Sequence, residues 1–193
     1  MRAEIKQPDH VPDLRSRADI EVQAGDLFCV RSAGPLSWAI IVVEAFHAKD
    51  NRAEFGHSGV ITDRLGSTFE ALATMRHGSL DRYRGRRLLI ARPVRRTDGE
   101  TVRLYHRQAA INRIIREHRG QIYPFWRIAL HLIPPASKYL SLAGSRLVCS
   151  ELTAKAEVLM GTLHGPYTGR NPDDLADRWR YAWTHQVVYD GVW

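Results

Sequence analysis

The sequence is poor in cysteine, with only Cys29 and Cys149 among 193 residues. There is no CxxC pair and no Cys/His cluster at zinc spacing, which argues against a disulfide scaffold or a structural metal site. No metal or other cofactor is expected. Long apolar runs are also lacking. The longest, Leu36 to Phe46, contains Glu44 and is too short to span a bilayer, so stable membrane insertion is not expected. Met1 to Val22 carries charges throughout and has no apolar h-region, so no secretory signal is visible. A cytoplasmic location is the default expectation, with export or release by a non-classical route as the alternative. Internal repeats, heptads and low-complexity segments are absent. Acidic residues are outnumbered: net charge is +7, with arginines crowded between Arg82 and Arg119. An anionic polymer such as nucleic acid, anionic lipid or cell-wall polymer fits that surface, and so does plain solvent.

The length suffices for one well-buried core. Residues 1–22 read as a polar lead-in containing Pro8 and Pro12, and 23–193 as a single α+β domain. Gly25-Asp26 introduces a short apolar strand at Leu27 to Val30. Ser37 caps an apolar helix from Trp38 to about Ala48. Gly56 to Thr62 and Ser67 to Leu72 flank the turn Asp63-Arg64-Leu65-Gly66 and read as a hairpin. Arg87 to Pro93 is a further strand. A helix opens at Thr97 and runs to about Arg119, with Leu104, Ile111, Ile114, Ile115 and His118 on its apolar side and Arg107 at the edge of that side. A short helix spans Phe125 to Ile133. A capped segment at Asn171 to Leu175 precedes a final strand at Gln186 to Tyr189.

The chain is organised around Arg146 to Gly161, read as a helix whose first turn carries Cys149 and whose stop is Gly161. Cys149, Leu152, Ala156 and Leu159 share one face at helical spacing, pointing the thiol inward. The first turn's free N–H groups favour a thiolate. A lone cysteine on an apolar face also fits a buried structural role. A nucleophile needs a histidine to take its proton and a polar group to orient the ring. His57 opens a strand between Gly56 and Gly59, and Glu70 on the return strand reaches it diagonally if the register puts both on one face. His47, His77 and His118 are possible substitutes. Cys29, inside an apolar strand, is expected to be buried and inert.

The segments Gly25-Asp26-Leu27-Phe28, His57-Ser58-Gly59-Val60-Ile61, Phe69-Glu70-Ala71, Gly120-Gln121-Ile122-Tyr123, Val148-Cys149-Ser150-Glu151-Leu152 and Asn171-Pro172-Asp173-Asp174-Leu175 occur in that order. Together they resemble the circularly permuted branch of the NlpC-type papain-like cysteine hydrolases, whose superfamily also holds lecithin:retinol acyltransferase. In that branch the histidine precedes the cysteine, as here. The resemblance implies a papain-like antiparallel sheet with the nucleophile helix packed on it. It also implies Cys149 as nucleophile, His57 as general base, Glu70 as the orienting third member, and Tyr123 beside the nucleophile as an oxyanion donor. Relatives often carry an acidic residue after the tyrosine; Pro124 stands there instead.

The function so implied is hydrolysis of an amide bond, in peptides such as those of bacterial cell walls. The rival within the chemistry is an acyl-lipid hydrolase or acyltransferase with a pocket walled by Trp38, Ile41 and Trp126. The rival outside it is a non-enzymatic module binding an acidic polymer, for which the sequence offers charge but no helix-turn-helix, RNP-like or zinc-finger signature.

Overall fold

Leu27–Val30 (β1) is buried at every position, as expected of a central strand covered on both faces. In this computed structural model, residues 20–31, 54–94, 104–124, 147–168 and 170–193 are described. The strands after β1 are His57–Ile61 (β2), Ser67–Ala71 (β3), Met75–Ser79 (β4), Arg87–Pro93 (β5) and His185–Val192 (β6). The helices are Leu104–His118 (α1), Cys149–Met160 (α2) and Pro172–Tyr181 (α3). A short 3-10 helix, Leu80–Tyr83, joins β4 to β5. The expected helices at Trp38 to Ala48 and Phe125 to Ile133, and the expected helix start at Thr97, lie outside the described residues, as do Trp38, Ile41, His47 and Trp126.

The architecture is α+β. The strands form one antiparallel sheet in the order β4-β3-β2-β1-β5-β6. Because strand side chains alternate, β1 divides its residues between two cores. Leu27 and Cys29 join Val60, Phe69, Leu89 and Ala91 under the helices, where Ile111, Ile114, Leu152, Ala156 and Trp179 cover them. Phe28 and Val30 join Ile61, Leu88 and Ile90 on the other face, covered by Val22, Leu80 and Tyr83. The β2–β3 hairpin forms as read. Asp63 Oδ1 accepts from the N–H groups of Leu65 and Ser67, and Gly66 supplies the positive φ of 78° that closes the turn.

Several expectations need correction. The cysteine helix begins at Cys149 rather than Arg146, with Val148 as an extended N-cap. It is also buried on nearly every side: Glu151, Thr153 and Glu157 are enclosed along with Leu152 and Ala156, while Leu159 is only partly buried. On α1, Leu104 is 46% exposed and Arg107 only 1%. The arginine belongs to the buried side because Asp26 is waiting there. Arg107 Nη1 and the Nε and Nη2 of Arg92 all donate to the Asp26 carboxylate, at 3.0, 2.9 and 2.8 Å. Gly25, at a φ of 87°, admits this packing, since a Cβ there would fall 2.5 Å from Arg107 Cβ. The Gly25-Asp26 pair thus ties α1 to the sheet. Residues 73–86 carried no expected element, yet they form β4 and the 3-10 helix. The capped segment at Asn171 continues as a helix to Tyr181.

Candidate active site

Cys149 is the first residue of α2, the position whose N–H has no partner within the helix. Glu151, three residues past the cap, accepts the Val148 N–H at 3.1 Å and fixes the chain's entry. The Thr153 hydroxyl donates back to the Cys149 carbonyl at 3.0 Å and lies 3.1 Å from the Ser58 hydroxyl. This joins the Cys149 turn to β2. At the far end Gly161 closes the helix at a φ of 75°.

His57 is the first residue of β2. Its approach is anchored by the Asn171-Pro172-Asp173 segment. Asn171 caps α3 by accepting the Asp174 N–H, and Asp173 Oδ1 accepts the N–H groups of Glu54 and Phe55 at 2.9 and 3.2 Å. The Pro172 carbonyl accepts the Cys29 thiol at 3.2 Å, so Cys29 is enclosed and used in packing.

The register question resolves in favour of the pair. Glu70 lies opposite Gly59, so it shares a face with Gly59 and, two residues along, with His57. Glu70 Oε2 lies 2.9 Å from His57 Nε2. The Cys149 thiol and the same imidazole interact favourably, each stabilising the other's charged form. The β2–β3 pairs end at Gly59↔Glu70, and beyond them the Ser58 backbone N–H favours the Cys149 thiolate. Tyr123 Oη stands 4.0 Å from Cys149 Sγ. The tyrosine is held because its own N–H reaches the Ala73 carbonyl at 3.0 Å.

The electrostatics follow from this geometry. Burial alone would push the His57 ring down, but its hydrogen bonds and charge interactions with Cys149 and Glu70 win, and its pKa is raised to about 9. Burial would push the Cys149 thiol up. The His57 imidazole, the Ser58 N–H and the Tyr123 hydroxyl outweigh that, so the thiol lies below its ordinary value. Glu70 is enclosed, yet donors from His57, Thr68 and Tyr83 hold it below the usual carboxylate range. Burial and the neighbouring thiolate push the Tyr123 phenol well up, so it stays protonated and can donate. These directions favour the thiolate of Cys149, the imidazolium of His57 and the carboxylate of Glu70.

Two donors to Glu70 had no sequence signal of their own. The Thr68 hydroxyl donates to Glu70 Oε1 and the Tyr83 hydroxyl to Glu70 Oε2. The only hints are Gly59 and Gly78, where an added Cβ would lie 3.1 Å from Glu70 Cγ and 2.6 Å from Glu70 Oε1.

The two described alternative histidines, His118 and His77, are occupied elsewhere. His118 pairs with Gln121 through Nδ1 at 3.0 Å and with Lys155 through Nε2 at 2.8 Å. His77 stacks edge-on against Phe69, 5.4 Å between centroids. The basic stretch is also less free than its composition indicates. Arg87 pairs with Glu54 and Asp190, Arg92 and Arg107 with Asp26, and Arg113 with Glu117, whereas Arg82, Arg84 and Arg86 are exposed. Among the described residues no group of three or more His, Cys, Asp or Glu side chains is placed to hold a metal ion, and no helix is long and apolar enough to cross a membrane.

Neither a protein-family model nor a curated protein matches the sequence. The site therefore has to be read from its own geometry.

Proposed function

We propose that this chain is a cysteine hydrolase whose nucleophile is Cys149, with His57 as general base and acid and Glu70 as the orienting carboxylate. The observation that carries the reading is the unbroken buried chain from a first-turn thiol through one imidazole to one carboxylate. Structural cysteines are ordinarily inert and uncharged, whereas this one faces a histidine and a backbone N–H that both favour its thiolate.

In the proposed cycle the Cys149 thiolate attacks the acyl carbon and the carbonyl electrons move onto oxygen. The Cys149 N–H and the Tyr123 hydroxyl are the donors assigned to that developing charge. As the tetrahedral species collapses, the bond to the leaving amine breaks and the His57 imidazolium gives that nitrogen its proton. The thioester that remains is cleaved by water, whose proton His57 takes while the thiolate departs. Glu70 stays ionised throughout and holds the ring in one orientation.

The substrate class comes from the resemblance to papain-like NlpC-type hydrolases, which favours an amide in a cell-wall-type peptide. The acyl-ester reading uses the same thioester. One observation favours it: Ile122, which precedes Tyr123 in the chain, is an apolar side chain 60% exposed. Incubation with wall-derived peptides and with acyl esters, followed by intact-mass analysis, separates the two. The proposal expects one class to leave an acyl adduct on Cys149 that is absent in Cys149→Ser. No adduct and no turnover with either class would count against a hydrolase.

A further inference from the structure

The Glu70 carboxylate is 0% exposed and receives three donors, and two of them converge on a single oxygen. Oε2 takes both His57 Nε2, at 2.9 Å, and the Tyr83 hydroxyl, while Thr68 takes Oε1. Tyr83 ends the 3-10 helix and is itself buried, 6% exposed. Its ring packs 5.8 Å from the Phe28 ring and 6.1 Å from the His57 ring. A phenol packed for stability alone has no need to compete with the imidazole for one carboxylate oxygen.

We propose that Tyr83 is a positioning residue of this site, sharing Glu70 Oε2 with His57 so that the carboxylate stays fixed while the imidazolium remains able to give up its proton. This rests on the hydrolase reading above. A carboxylate that served His57 alone would grip the imidazolium harder, and the histidine would be slower to protonate a leaving group. A phenol that already satisfies part of the charge on Oε2 loosens that grip. Burial and the adjacent carboxylate hold the Tyr83 phenol protonated, since both push its ionisation upward. Tyr83 therefore acts as a fixed donor.

Among the described residues, the other titratable or charged groups around this trio are few. They are Cys149 of α2 on the far side of the imidazole, Tyr123 beside that thiol, Arg82 with its guanidinium carbon 5.8 Å from the Tyr83 ring centroid, and Arg76 opposite Glu70 in register. β1 contributes no titratable side chain there: Phe28 packs against His57 and Tyr83, and Val30 stands opposite His57 in register.

The test follows the His57 ring nitrogens by 15N NMR titration, together with the pH profile of Cys149 alkylation by iodoacetamide. It compares wild type, Tyr83→Phe, and protein carrying 3,5-difluorotyrosine in place of Tyr83. Losing the hydroxyl is expected to move the His57 transition up by about half a pH unit or more, and the stronger fluorinated donor to move it down. The fluorinated residue keeps the ring's shape, so it still decides the matter if Tyr83→Phe does not fold. A His57 transition that stays at the wild-type pH in the folded variants overturns the proposal. Failure of the hydrolase reading looks different: Cys149 of the wild type would then alkylate like an ordinary thiol, whatever occupies position 83.

Discussion

Gly59 stands directly opposite Glu70 in the β2–β3 ladder, and the space left by its missing side chain is where the Phe28 ring and Glu70 Cγ meet. A Cβ on Gly59 would lie 2.7 Å from Phe28 Cζ and 3.1 Å from Glu70 Cγ. Both neighbours are fully buried, so neither can swing away into solvent. Gly59→Ala is expected to destabilise the fold by about 1–3 kcal/mol in urea unfolding, as overpacking does. It should also slow Cys149 alkylation, because the carboxylate that orients His57 is displaced. Wild-type stability in the variant would mean that the two strands are more loosely packed than described.

Asp26 holds two arginines, one of them Arg107 in the interior. Asp26→Ala strands that guanidinium without its anion, and breaking a buried pair this way costs about 3–5 kcal/mol. Thermal unfolding should register it, while Cys149 alkylation in whatever protein remains folded should keep its wild-type pH dependence, since Asp26 does not touch the site.

Tyr123→Phe removes one of the two donors assigned to the oxyanion. Turnover on a substrate identified by the acyl-adduct experiment is expected to fall roughly 100-fold. Alkylation by iodoacetamide needs no oxyanion and should fall far less. An equal loss in both would place Tyr123 in thiolate formation rather than in transition-state binding.

Stability should follow pH in a defined direction. His57 is raised from 6.5 to about 9, so its contribution is complete below 6.5 and is lost as pH rises through about 9. Glu70 is lowered from 4.5, so its contribution is complete above 4.5 and is lost as pH falls. The difference in unfolding free energy between wild type and His57→Ala should therefore shrink as pH rises from about 6.5 to about 9. A difference that grows there contradicts the imidazolium assignment.

The parts legible in sequence were those with local signals. The hairpin was marked by Asp63 and Gly66, the end of α2 by Gly161, and the start of α3 by Asn171-Pro172. The pairing of His57 with Glu70 was legible only as a condition, because one residue of slip would reverse Glu70's face. Nothing local marked β4, where Arg76 and His77 are exposed at the sheet's edge, so the strand lacks a hydrophobic period. Tyr83 was invisible for a related reason: it sits in an arginine-rich stretch that reads as surface, and its partner is 13 residues away. Arg107, by contrast, does carry a signal. An arginine on the apolar side of a helix calls for a buried carboxylate, and Asp26 was already singled out next to Gly25.

The central claim is that Cys149 rests as a thiolate paired with the His57 imidazolium. The most direct test is the iodoacetamide alkylation rate of Cys149 and Cys29, resolved by peptide mass spectrometry from about pH 4 to 10, in wild type and His57→Ala. Cys149 should label rapidly well below the ordinary thiol value of about 8.5, slow at least tenfold near pH 6 without His57, and leave Cys29 protected throughout. Slow labelling of Cys149, unchanged by His57→Ala, would contradict the account.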